Sequence, residues 1–173
     1  MNEPGVAPDA PLPPVVATRL REFSSLAKMK RVAMQFIATS LGEEEIAGLR
    51  EMFLRMDTDR SGTITLAELR AGLQSVGAQV SDSEVERILV ETDIDHSGAI
   101  EYAEFLAATL RLSKIEQQEN LKKAFARFDV DRSGVVSGEE LQRVCSDLNM
   151  ERKEVEEMLR EVDSNQVSRW CNV

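Results

Sequence analysis

Three stretches of twelve residues carry oxygen-bearing side chains at matching offsets. The middle one, Asp93 to Glu104, reads DIDHSGAIEYAE, with Asp93, Asp95, Ser97 and Glu101 at positions 1, 3, 5 and 9 and Glu104 at 12. Asp57 to Glu68 reads DTDRSGTITLAE and offers Asp57, Asp59, Ser61, Thr65 and Glu68 at the same positions. Asp129 to Glu140 reads DVDRSGVVSGEE and offers Asp129, Asp131, Ser133, Ser137 and Glu140. Every donor in these sets is a hard oxygen. Alternate residues of a tightly turned chain can aim such oxygens at one point, and a carboxylate at the last position closes the shell with two more. Position 7 contributes its backbone carbonyl, so Thr63, Ala99 and Val135 serve equally well there. Gly98 and its counterparts at position 6 stand where the chain reverses sharply and a Cβ would be costly. The chemistry is that of a hard divalent cation wrapped in oxygen.

A single such stretch would pass for an acidic surface turn. Three of them begin 36 residues apart in both intervals, each with Ile or Val at position 8 and Glu at 12. That combination is the twelve-residue calcium loop of the EF-hand, and three Ca²⁺ sites are expected. A fourth start, Asp163, follows 34 residues after the third. Asp163 and Asn165 fit positions 1 and 3, but Val167 and Ser168 stand where an oxygen and a glycine are wanted. The sequence stops at Val173, position 11, before a closing Glu or an exit helix. This fourth loop is expected to bind no calcium.

Helices must hold these loops. Apolar stripes at helical spacing precede and follow each one: Ile46, Leu49, Met52, Phe53 and Met56 enter the first, and Leu66, Leu69 and Leu73 leave it. Ser40 is expected to cap the first entering helix, ahead of Glu43, Glu44 and Glu45. Ser81 is expected to start the second, which carries Val85, Ile88 and Leu89. Tyr102, Phe105, Leu106 and Leu110 follow loop two, and a helical connector is expected around 112–118. Leu121, Ala124, Phe125 and Phe128 enter loop three, with Leu141, Val144 and Leu148 beyond it. Val155, Met158, Leu159 and Val162 form the last entering helix. Ile64 and Ile100 should pair across a short ribbon, while Val136 has only Trp170 of the defective loop as a partner. The expected fold is all-α, with two lobes: 41–112 around loops one and two, and 113–173 around loop three and the incomplete fourth.

Two segments precede the lobes. Residues 1–17 form a proline-rich lead-in, with all five prolines among the first 14 residues. Residues 18–40 form a basic amphipathic stretch, with Leu20, Phe23, Leu26, Phe36 and Ile37 as apolar anchors. Phe23 and Phe36 lie thirteen residues apart, as on one long helix, with Arg19, Arg21, Lys28, Lys30 and Arg31 set mainly between anchors. Such a helix suits a calcium-opened apolar groove. The alternatives are a helix packed on its own domain and a membrane-surface helix.

Charge separates along the chain. The net −10 divides into +4 over residues 18–40 (five basic residues against Glu22), −2 over residues 1–17, and −12 over the remainder. An acidic body beside a basic segment points to self-association or a basic partner and away from nucleic acid. Cys145 and Cys171 show no CxxC spacing, as for reduced thiols in the cytoplasm or nucleus. No apolar run is long enough to span a membrane, no signal peptide is evident, and Asn2 excludes a myristoylation start.

The order of parts resembles the regulatory region of plant and algal calcium-dependent protein kinases, over nearly the whole chain. The resemblance rests on APDAPL at 7–12, RLREFSSLAKMKRVA, IATSLGEEEIAGLREMF at 37–53 and AATL at 107–110, combined with the loops. It implies a junction segment joined to a calmodulin-like domain. The opening MNEPGV resembles the end of that family's kinase domain, which would make Met1 an internal methionine of a longer gene. In such a kinase the junction blocks catalysis, and calcium-loaded lobes grasp it and lift it off. The implied partners are therefore residues 18–40 themselves and a kinase domain in cis or trans.

No Gly-rich ATP loop, HRD or DFG motif occurs, so the chain itself is not expected to transfer phosphate. His96, the single histidine, occupies variable position 4 of loop two and is expected to face solvent. The expected function is a calcium sensor. A calcium buffer, or a stand-alone calmodulin-like protein without a kinase, is the alternative, although a buffer needs no basic helix. The missing exit helix leaves Leu141, Val144 and Val155 short of a packing partner. The second lobe should therefore be loose, or covered by residues 18–40 or by a second chain in a dimer.

Overall fold

A computed structural model describes residues 13–110, 118–148 and 150–164. Most of residues 1–17, the expected connector up to residue 117 and the greater part of the fourth loop lie outside the described residues. The fold is all-α apart from a two-stranded ribbon, in keeping with the sequence.

The basic segment comes first, and it is broken. Instead of one helix over 18–40, it forms α1 (Val15–Ser24) and α2 (Lys28–Thr39). The reason is local. The hydroxyls of Ser24 and Ser25 donate to the carbonyls of Arg21 and Glu22 at 2.9 and 2.7 Å. Paired serines that bond backward compete with the helical ladder. Ala27 is then extended, with ψ 143°, and α2 restarts.

The first lobe contains α3 (Glu43–Met56), α4 (Leu66–Ser75), α5 (Asp82–Thr92) and α6 (Tyr102–Thr109). Ser40 does not cap α3. Its hydroxyl turns back onto the Ile37 carbonyl at 2.8 Å, and Gly42 takes the cap position. Ser81 does cap α5, accepting from the Glu84 amide. Strands β1 (Thr63–Ile64) and β2 (Ile100–Glu101) pair antiparallel, with Ile64 opposite Ile100 as expected. Both isoleucines are fully buried, so the ribbon is a core contact that couples the two loops. Gly72 lets α4 approach α3 closely, since a Cβ there would meet Met56 Cε at 2.7 Å.

In the second lobe, α7 (Gln118–Phe128), α8 (Gly138–Ser146) and α9 (Arg152–Ser164) surround loop three. Leu141, Val144 and Val155, expected to be short of a packing partner, are buried among the described residues. Helix α1 packs on α5 and α6, and α2 lies between α6 and α7, in contact with both lobes. Leu20, Phe23 and Ile37 are buried, and Leu26 and Phe36 are partly buried against the same core. No helix among the described residues is long and apolar enough to cross a membrane.

Candidate metal centres

Each loop gathers its acids as the spacing requires. In each of the trios Asp57–Asp59–Glu68, Asp93–Asp95–Glu104 and Asp129–Asp131–Glu140, one carboxylate oxygen per residue lies within 4.8 Å of the others. Ser61, Ser97 and Ser133 bring the hydroxyl of position 5 to 3.1, 3.0 and 3.0 Å from the carbonyl oxygens of Thr63, Ala99 and Val135. The residues at positions 1, 3, 5, 7 and 12 thus fall into three clusters of five. Like charges so close repel, and a divalent cation relieves that repulsion. The donor set contains only hard oxygens, which fits Ca²⁺.

Backbone amides hold the first aspartate of each loop. In loop two, Ser97 N donates to Asp93 Oδ1 at 3.0 Å and to Asp95 Oδ1 at 3.1 Å, while Gly98 N donates to Asp93 Oδ2 at 2.8 Å. Loops one and three repeat this pattern. The turn that makes it possible places two successive even positions at positive φ. Gly98 sits at +90°, and His96 at +58°, as do Arg60 at +58° and Arg132 at +59°. The sequence pattern singled out only the glycines.

The closing glutamates span their loops. Oε1 of Glu68, Glu104 and Glu140 accepts from the position-2 amides of Thr58, Ile94 and Val130 at 2.8, 2.6 and 2.8 Å. Oε2 accepts from Thr65, Glu101 and Ser137 N at 2.9, 2.9 and 2.8 Å. Their acidities diverge. Burial raises Glu104 to about 7, with help from the Asp95 and Asp93 charges and against the amides of Glu101 and Ile94. In Glu68, burial also opposes ionisation, but bonds from Thr65 and Thr58 prevail and hold it at about 2. The amide and hydroxyl of Ser137 lead in holding Glu140 at about 2.

Residues 46–110 and 118–169 match the family model described as an EF-hand domain pair. The chain belongs to the EF-hand family. It is 61% identical over 161 residues to calcium-dependent protein kinase 27 of Oryza sativa subsp. japonica, covering 93% of this chain and 26% of that protein. It is 59% identical over 165 residues to calcium-dependent protein kinase 2 of Arabidopsis thaliana, covering 95% of this chain and 26% of that protein. The EF-hand chain thus spans about a quarter of the length of these relatives. It corresponds to their calmodulin-like regulatory region, and its 173 residues contain no phosphate-transfer motif. This is a calcium-binding regulatory chain.

One polar constellation escaped the sequence pattern. His96 is exposed as expected, but it also has a partner: its Nε2 lies 2.7 Å from Oε1 of Glu154 on α9. The same oxygen accepts from Lys28 Nζ of α2 at 2.5 Å, and Oε2 caps α9 by accepting from Glu151 N at 3.0 Å. Burial would raise the Glu154 carboxyl, but its bonds to Lys28, His96 and the Glu151 amide outweigh that and hold it at about 2. Nothing in the local sequence pairs residues 58 positions apart.

Proposed function

We propose that this chain is a three-site calcium sensor whose lobes hold its own basic segment. The observation that carries the reading is how residues 15–39 are engaged. Leu20, Phe23 and Ile37 are buried, and four basic side chains reach partners beyond the segment. Arg19 Nη1 donates to the Thr109 carbonyl at 2.7 Å, and Arg21 Nε pairs with Glu84 at 2.7 Å. Lys28 pairs with Glu154, and Arg31 with Glu91. Apolar anchors supply affinity and the charges orient the segment, as in a helix-in-groove complex. Tethering supplies an effective concentration in roughly the millimolar range, so a weak groove can still be filled.

Calcium would act by neutralising the clustered carboxylates and turning the exit helices, which changes the groove offered to α1 and α2. In a longer protein with a kinase domain, this hold would compete with that domain for the segment. Helix α2 lies against α7, which favours residues 18–40 over a second copy of the chain as cover for the second lobe.

The test is amide hydrogen exchange on the full chain. Protection of residues 15–39 should be higher in calcium than in a chelator. Phe23→Ala combined with Phe36→Ala should remove that difference. Equal protection in both conditions would refute the sensor reading and leave a buffer.

A further inference from the structure

We infer that Glu154 and His96 are positioning residues for the second calcium loop, with a side chain of the second lobe setting the affinity of a site in the first. The inference rests on the reading of Asp93–Glu104 as a calcium loop and adds a determinant from outside it.

His96 occupies position 4, between the ligands Asp95 and Ser97, and supplies no ligand itself. Its backbone adopts φ +58°, a left-handed conformation that is unfavourable for a residue with Cβ. The loop needs it there, because the next two amides, Ser97 N and Gly98 N, aim the Asp93 and Asp95 carboxylates. A side chain pinned from outside keeps this residue in place before the ion arrives. Less ordering then remains for the ion to impose, and affinity rises.

Glu154 is suited to do the pinning. Its side chain is only 16% exposed, and its own position is fixed by Lys28 and by the Glu151 amide. As a carboxylate it accepts, so Nε2 of His96 is the donor. Loops one and three carry Arg60 and Arg132 at this position, so the histidine is particular to loop two. The seam around the contact holds a cavity of about 500 Å³ bordered by Asp93, Lys28, His96 and Met158. Coupling is reciprocal: if the contact strengthens calcium binding at loop two, calcium there strengthens the hold of α9 and Lys28 on the first lobe.

The test uses the full chain carrying Glu68→Gln and Glu140→Gln, so that the tight calorimetric calcium signal reports loop two. His96→Ala and Glu154→Gln should each raise the dissociation constant roughly three- to tenfold. The double variant should be no weaker than the weaker single one, because both changes remove one contact. The single histidine gives an isolated ring resonance, which should move on Glu154→Gln in the otherwise unchanged chain. Glu154→Gln keeps the side-chain shape, and a retained far-ultraviolet circular dichroism spectrum excludes misfolding as the cause. Effects that multiply in the double variant, a silent His96→Ala, or an unmoved histidine resonance would each overturn the proposal.

Discussion

The ring of Phe36 meets that of Phe128 edge-on, with centroids 5.2 Å apart and an interplanar angle of 88°. Phe36 belongs to α2 and Phe128 ends α7, so the contact joins the basic segment to the second lobe. The Arg127 guanidinium lies 5.8 Å from the Phe36 centroid and adds a cation–π term. Phe36→Ala should therefore destabilise the second lobe by about 2–4 kcal/mol, somewhat less than for a fully buried ring. Urea unfolding, with amide exchange to locate the loss in α7 and α8, checks this. Loss confined to α2 would show that the segment does not support the lobe.

Stoichiometry follows from the three clusters. Calorimetry at saturating calcium should give three sites and no fourth, because Val167 and Ser168 replace an oxygen and the glycine of the turn. Removing loop three with Glu140→Gln should reduce the count to two.

Glu104 is the closing ligand whose substitution should separate calcium binding from stability. Burial pushes its carboxyl up to about 7, so near neutrality the ion-free side chain takes up a proton far more readily than an ordinary carboxylate. Glu104→Gln resembles that neutral form and should cost about 1 kcal/mol or less in chelator. Calcium binding loses a charged oxygen worth about 1.5–3 kcal/mol, or roughly ten- to a hundredfold in affinity. Paired urea and calcium titrations test both halves. An unchanged calcium curve would contradict the ligand assignment.

The loops were legible because their chemistry is local: twelve consecutive residues determine which oxygens converge. The pairing of Ile64 with Ile100 followed from the repeat, as each loop places a branched apolar residue at position 8. Other features depend on tertiary contacts. The break at Ser25–Ala27 was hidden because apolar periodicity continues across it, and only the backward bonds of the two serines mark the interruption. Ser40 was expected to cap α3, but its hydroxyl found the Ile37 carbonyl first. The bond from His96 to Glu154 closes across 58 residues, and its partner is chosen by the docking of the two lobes.

Glu154 also predicts a pH dependence. Its folded pKa, about 2, lies below the ordinary 4.5. A depressed carboxyl contributes stability that is present above the unfolded value and lost as pH falls through the folded one. The stability difference between the unaltered chain and Glu154→Gln should be constant above about pH 5 and shrink between 4.5 and about 2. Urea midpoints of both proteins in chelator, taken between pH 7 and pH 3, give this difference directly. A difference that grew on acidification would have the wrong sign.

The last prediction weighs anchors against charges in the basic segment. Phe23 is 1% exposed, and truncating a buried Phe to Ala costs about 3–5 kcal/mol. Arg21 is a weaker case: its pair with Glu84 is 36% and 25% exposed on the two sides, and such a solvent-screened pair contributes little. Its Nη2 also donates to the Gln79 carbonyl at 3.0 Å, which fixes the direction in which α1 lies on α5. Arg21→Gln should therefore cost little stability and become nearly silent in high salt, where surface charges are screened. Phe23→Ala should remain severe at any ionic strength, because burial of its ring does not depend on counterions. Urea unfolding of both variants at low and at about 1 M salt separates the two contributions, since the Debye length there is about 3 Å. If Arg21→Gln proves as damaging as Phe23→Ala and salt erases both losses, electrostatics rather than apolar burial holds the segment.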